Sequence, residues 1–424
     1  MRKKFHVKHK VGEGMRDNYD LIVVGGGAAG LFAAAYQAVN APDMSVLLVE
    51  KNDRVGKKLL TTGNGRCNIS NSTELSGKYH GAESFAEDVF RTFPREETLE
   101  FFEQIGIPVV EEENGKLFPR SLQAGSVVDM LRLKAEEGAD VLCSAEVSGV
   151  GYDGNYTVTT DKGIFTANNV LITCGGRAAA NTGSDGSGYE LLSAFGHRVN
   201  RTFPAIVQLT ADTKKTKPLA GIKWVCGVTA RAGRQSRTEL GEVLFTDYGL
   251  SGPPVLQVSR IISKNGSGQI ILDLCPDLSK QQIESEIAAR AAAFSNRDCM
   301  ELLTGFINKR LGQTAVKCAG IPLSTRCSAF GKKEISNIAD CLKGFTVEVN
   351  GTKGWNMAQV TAGGIDPFDF SADTMESRLY EGLYAAGEIL DVDGDCGGYN
   401  LQWAWSTAGT AIKAIINKMR KNNA

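Results

Sequence analysis

The first well-defined pattern in the chain is an unbroken apolar run, Tyr19–Val24 (YDLIVV), rich in β-branched residues. A run without polar alternation suits a strand covered on both faces, as in a parallel sheet. Alanine-rich Leu31–Val39 predicts a helix, and Ser45–Val49 (SVLLV) a second buried strand. Gln123–Glu137 has helical spacing. Ala145–Gly149, Tyr156–Thr160 and Gly163–Ala167 then read as a β-meander, separated by Asp153-Gly154-Asn155 and Asp161-Lys162-Gly163. Asn169–Thr173 (NVLIT) is another buried strand, running into Cys174-Gly175-Gly176. Near the end, Gly382–Ala386 predicts a strand, and a helix starts near Tyr399 and runs through Trp403 to Ile416.

The middle of the chain has a different pattern. Phe203–Thr210, Ile222–Ala230, Glu242–Thr246 and Gln269–Leu274 read as strands with polar turns, which suits a small antiparallel barrel. Residues 278–311 predict helices, with Ile283, Ile287, Leu302, Leu303, Phe306 and Ile307 at helical spacings, and Glu334–Leu342 is a further short helix. That apolar stripe is read as packing. The expected organisation is a flexible tail over 1–18, an α/β domain built from 19–196 and 351–424, an inserted β-barrel over 197–275 and a small helical subdomain over 276–350.

Composition narrows the class. The 424 residues carry 47 Lys and Arg against 48 Asp and Glu, a net charge of −1, so no global field draws in nucleic acid or an anionic membrane. No apolar run is long enough to cross a bilayer. The ten cysteines form no CxxC and do not cluster with the four histidines, so no metal site is expected, and scattered free thiols suit a reducing cytoplasm. Met1–Lys10 (MRKKFHVKHK) is basic but has no apolar segment after it. It reads as a binding arm, as a disordered tail, or as sequence upstream of a true start at Met15. The expected partner is a small-molecule substrate, with neither nucleic acid nor membrane.

Candidate chemistry begins at Gly25-Gly26-Gly27-Ala28-Ala29-Gly30, a GxGxxG between a strand and a helix. Gly25 permits the tight turn, Gly27 lets backbone approach a pyrophosphate, and Gly30 allows close helix–strand packing. The helix N-terminus presents unpaired N–H groups to the phosphates. Glu50 ends the second strand 20 residues after Gly30, where an acid binds ribose hydroxyls and disfavours a 2′-phosphate. Gly183–Gly188 (GSDGSG) precedes a helix over Tyr189–Phe195, but no strand–acid unit follows it. A dedicated second nucleotide domain is therefore not expected.

The order of elements resembles the two-dinucleotide-domain flavoproteins, an α/β FAD-binding Rossmann-like fold. Longer segments sharpen the likeness: VGKKLLTTGNGRCNISN at Val55–Asn71, EVLFTDYGLSGPP at Glu242–Pro254, VTAGGID at Val360–Asp366, and the stretch Thr374–Gly409. These resemble the bacterial FAD-binding oxidoreductases grouped with aminoacetone oxidase and the bile-acid 3-oxo-4,6-diene reductase. The resemblance implies non-covalent FAD, since none of His6, His9, His80 and His197 lies in an attachment motif. It implies cofactor contacts from Ala28, Ala29, Lys51, Thr62, Gly63, Asn64, Gly65, Asn68, Val147, Gly175, Gly387, Asn400 and Leu401 besides the residues above. Glu388 would meet the ribityl hydroxyls, and N–H groups at Gly398–Leu401 the flavin pyrimidine edge.

Several residues keep two readings. Lys57 and Lys58 neutralise the pyrophosphate or form a solvated pair. Cys67 exchanges electrons with the flavin or is a small buried side chain. Arg66 holds a substrate carboxylate or the flavin, or fixes its own loop. Tyr248 donates a proton or is a half-buried turn residue. Three functions follow: a reductase of a conjugated C=C bond with NAD(P)H binding transiently as donor, an O2-linked oxidase of a small amine, or a redox-sensing flavoprotein without turnover.

Overall fold

The computed structural model describes residues 15–422, so the basic segment with His6 and His9 lies outside the described residues. The described residues divide into two compact units, 15–202 with 360–422, and 203–359.

The first unit begins with β1 (Asn18–Val24), α1 (Ala28–Asn40) and β2 (Val46–Val49). After α2 (Ala124–Glu136) come β3 (Ala139–Leu142), β4 (Val147–Tyr152), β5 (Tyr156–Thr160) and β6 (Gly163–Ile172). The second unit supplies β7 (Leu209–Ala211), β8 (Lys223–Ala232), β9 (Gln235–Phe245), β10 (Gly249–Ser251), α3 (Pro253–Asn265) and β11 (Gly268–Asp273). It continues with α4 (Lys280–Ala293), α5 (Lys309–Cys318), α6 (Lys332–Lys343) and β12 (Phe345–Thr352). The chain then returns to the first unit with β13 (Leu383–Ala385) and α7 (Tyr399–Asn422).

In the first unit one sheet runs β3-β2-β1-β6-β5-β4, with β13 also on β6. β3, β2, β1, β6 and β13 are parallel, while β5 and β4 are antiparallel. The chain leaves β1 toward β2 on one side while β6 lies on the other, which makes the carboxyl end of β1 a switch point where α/β sheets bind ligands. Behind it Phe32 of α1 meets Phe101 at 5.0 Å and Trp405 of α7 at 5.5 Å between ring centroids. These buried rings fasten both helices to one core, each such pair adding about 0.5–1.5 kcal/mol beyond area burial.

In the second unit, β7-β10-β9-β8-β11-β12 close into an antiparallel barrel as β12 pairs back to β7. α4, α5 and α6 lie between β11 and β12 in sequence and share a core with the barrel. No helix among the described residues is long and apolar enough to cross a membrane.

The structure revises several expected elements. Gly163–Ala167 and Asn169–Ile172 are one strand, because β1 pairs with β6 across the expected break, from Thr166 to Ile172, while β5 and β13 take the two halves of its other edge. Phe203–Thr210 is two short strands, Phe203–Ala205 and β7, broken at Ile206 with φ of +49°. Pro253-Pro254 starts a helix, since proline in the first turn removes only an N–H that has no helical partner. Within 278–311 the first helix stops at Ala293 and the next α-helix starts at Lys309, with a single 3-10 turn at Cys299–Glu301 between them. Residues 345–350, expected with the helices, belong to β12, where Phe345, Val347 and Val349 point inward at period two. β3 is an additional edge strand.

Candidate cofactor site

The parallel strands of the first unit end side by side. Gly25 N–H bonds the Val49 carbonyl at 2.8 Å, Thr173 N–H the Val24 carbonyl at 2.8 Å, and Ala386 N–H the Ile172 carbonyl at 3.1 Å. Each run of glycines after a strand therefore opens on the same edge. Gly25 has φ of +107°, and a Cβ there would lie 2.7 Å from the Thr173 carbonyl oxygen. At Gly30 a Cβ would lie 1.9 Å from the Gly25 oxygen, so the turn folds directly onto α1.

Glu50 is buried beneath this turn. Its Oε2 accepts from Gly26 N–H at 2.8 Å, and its Oε1 from the Asn52 N–H at 2.8 Å and side-chain amide at 2.7 Å. Lys51 pairs with Asp185 at 2.7 Å, in the loop before helix Ser187–Ser193. Burial pushes the Asp185 carboxyl up, but the Lys51 ammonium and the Ser187 amide outweigh it and hold it at about 2. Val147 opens β4 two residues after Ala145, whose N–H donates to the Glu50 carbonyl at 3.0 Å.

Glu388 follows β13. Its Oε2 accepts from Lys58 at 2.7 Å and its Oε1 from Thr361 N–H at 2.9 Å. Gly176 packs against both Thr361 and Glu388, and a Cβ at Gly387 would touch Ala29 at 3.1 Å. Gly25, Ala29, Gly30, Glu50, Lys58, Gly175, Gly387 and Glu388 thus belong to one edge. Lys57 takes the other course and pairs with the exposed Asp53 at 3.0 Å.

A second arm of the site joins the Leu59–Gly65 turn to the start of α7. Thr62, Gly63 and Asn64 leave the helical conformation there, and Gly63 and Asn64 have positive φ. A Cβ at Gly398 would strike the Ser70 carbonyl at 2.3 Å and approach Asn68 Oδ1 at 2.9 Å. Asn71 donates to the Gly397 carbonyl at 2.9 Å, and Trp403 of α7 donates to the Gly387 carbonyl at 3.1 Å. Asn400 grips its own turn, with Oδ1 accepting from Gly394 N–H at 2.8 Å and Nδ2 donating to the Gly394 carbonyl at 2.7 Å. Leu401 is half-buried beside it.

The remaining candidates divide. Arg66 is committed to its loop, with one nitrogen on both Glu112 oxygens at 3.0 and 2.9 Å and its guanidinium 4.2 Å from the Phe118 ring centroid. Cys67 is fully buried, and burial pushes its thiol up to about 12 despite a hydrogen bond with Thr62. Tyr248 belongs to the second unit, between β9 and β10, where Lys353 lies 4.5 Å from its ring centroid.

These residues fit a dinucleotide. A Cβ at Gly27 would meet nothing within 4 Å, so the space at the α1 N-terminus is open, and no side chain caps that helix. Gly65 is likewise open. Asn68 Oδ1 is buried without a hydrogen-bond partner, as expected of a group that meets a bound ring. Asn52, Thr173 and Thr361 were not singled out from sequence, because their roles depend on partners from other segments.

The HI0933-like protein Rossmann-domain profile matches residues 19–414. The chain is 35% identical to the 3-dehydro-bile acid delta(4,6)-reductase of Clostridium scindens over 93% of this chain and 98% of that protein. It is 31% identical to the ribosomal RNA dihydrouridine synthase of Escherichia coli strain K12 over 94% of this chain and 98% of that protein. The crystal structure of the 3-ketosteroid delta1-dehydrogenase from Sterolibacterium denitrificans superposes with a TM-score of 0.52 at 14% identity, covering 95% of this chain and 100% of that one, which shows a shared fold. The matched range takes in the glycine turn, the buried acid and the returning strand, and the chain belongs to the HI0933-like family of FAD-binding Rossmann oxidoreductases.

Proposed function

We propose that the chain is an FAD-dependent reductase that saturates a conjugated C=C bond, in an enone or dienone such as a 3-oxo steroid or bile-acid intermediate, with NAD(P)H as donor. The observation that carries this reading is the near full-length similarity to the bile-acid reductase, which covers 93% of this chain. FAD, when bound, supplies hydride transfer between nicotinamide and acceptor. Gly25, Gly27 and Gly30 seat its pyrophosphate on the α1 N-terminus, and Glu50 holds the ribose. Glu388, braced by Lys58 and Thr361, holds the ribityl chain. N–H groups at Gly398–Leu401 stabilise negative charge on the pyrimidine edge, and Thr62–Gly65 with Asn68 line the ring.

A second reading is favoured by the similarity to the ribosomal RNA dihydrouridine synthase. The uracil C5=C6 bond is conjugated to a carbonyl, so the same hydride addition, completed by a proton from solvent, yields dihydrouridine. Anaerobic mixing of the purified yellow protein with NADH or NADPH, followed by air, tests the common core. Fast bleaching with slow return of colour is expected, and catalytic turnover then requires an enone or a uridine-containing RNA. Bleaching only by small amines, with rapid recovery in air, would replace the reductase by an amine oxidase.

A further inference from the structure

The net charge of −1 conceals a division between the units. Residues 203–359 carry 20 Lys and Arg against 13 Asp and Glu, a net +7, while the rest of the chain carries 27 against 35, a net −8. Charges in physiological salt act over about 8 Å, so the relevant feature is where cations gather. Three of them stand at one end of the barrel, where the β8–β9 turn meets the C-terminus of α3. Arg231 ends near the close of β8, Arg234 lies in the turn and Lys264 in the last turn of α3, and all three are exposed.

This end is held together by its own contacts. Arg231 is paired in register with Gln269 of β11. Asn265 donates to Gln235 at 3.3 Å, and a Cβ at Gly233 would approach Asn265 at 3.2 Å. No acidic residue occurs between 213 and 238 or between 248 and 272. None of the three cations forms an ion pair among the described residues. Their neighbours Gln235, Ser236, Ser263, Asn265 and Ser267 offer neutral hydrogen-bonding groups. Spaced cations among small polar side chains suit the phosphates of an extended backbone. An anionic membrane suits the end less well, because the turn Ala232–Ser236 and the segment Asn265–Gly268 carry no large apolar side chain to insert.

We propose that this end of the inserted barrel, built on Arg231, Arg234 and Lys264, is an RNA-backbone-binding surface. It rests on the second reading above, in which the acceptor is a uracil in RNA. The test is binding of the FAD-loaded protein to a labelled oligoadenylate RNA, which has phosphates but no uracil, at several KCl concentrations. R231E/R234E/K264E should bind roughly tenfold or more weakly at low salt, and its log–log salt slope should be shallower by about 2. R231Q/R234Q/K264Q should fall between, and R91E/K162E in the first unit should match the wild type. Equal flavin absorbance in all variants shows that the fold is intact. Undiminished binding by both triple variants, or wild-type binding to phosphatidylserine vesicles without binding to RNA, overturns the surface. Binding without reduction of uridine-containing RNA keeps the surface and removes the second reading alone.

Discussion

Gly27 and Gly30 stand three positions apart and have opposite relations to the space around them. A side chain at Gly27 would project into open space from a backbone with φ of −77°, which any residue adopts. A side chain at Gly30 would collide with the Gly25 carbonyl at 1.9 Å. Gly27→Val should therefore fold, losing only about 1 kcal/mol from a poorer N-cap, yet purify without FAD. Gly30→Ala should lower the melting temperature as well as the flavin content. Comparing absorbance spectra and thermal melts of the two variants checks this, and a Gly27→Val protein with full FAD would remove the pyrophosphate from this turn.

At the scale of elements, the turn from Leu59 to Asn68 shows what a segment does when several readings meet in it. Its Asn68 approaches Gly398 and its Gly65 borders open space, but Arg66 anchors it to Glu112 and Cys67 is sealed inside. With burial holding the thiol near 12, Cys67 is protonated at neutral pH and a poor nucleophile. A maleimide should leave it unmodified in the native protein, and Cys67→Ala should still be reduced by NAD(P)H. Rapid labelling with loss of reducibility would restore a redox role. Local patterns made β1, α1, β2 and Glu50 legible, because each motif lies within one strand–turn–helix unit. Elements defined by distant partners were not legible. β6 is one strand because β1 runs alongside it from Thr166 to Ile172 while β5 and β13 divide its other edge, and β12 is recognisable as a strand only once the barrel closes. The Lys58–Glu388 bridge joins residues from either side of the insertion, a pairing that no spacing rule reveals.

For the molecule as a whole, one buried group ties stability to pH. The His197 ring is packed against Phe370 at 4.5 Å and bonded to Ser377 at 3.0 Å. Burial pushes its pKa below the ordinary 6.5, while Asp369 at 3.5 Å opposes the shift. The folded state therefore binds fewer protons than the unfolded chain at acid pH. The stabilising contribution is complete above about 6.5 and declines as pH falls below it. Urea unfolding at pH 7.5 and 5 should show a larger loss in the wild type than in His197→Gln, and equal losses would exclude this group. The return of β13 to the sheet also has a consequence for synthesis. The residues of β6 leave the ribosome long before Leu383, and at typical elongation rates the interval is on the order of 10–40 seconds. During that interval the second half of β6 has an open edge, while residues 203–359, one uninterrupted stretch, are free to close their barrel. Nascent chains stalled before residue 383 would then expose a sticky strand that holdase chaperones recognise, so the insertion sets the order in which the protein is born.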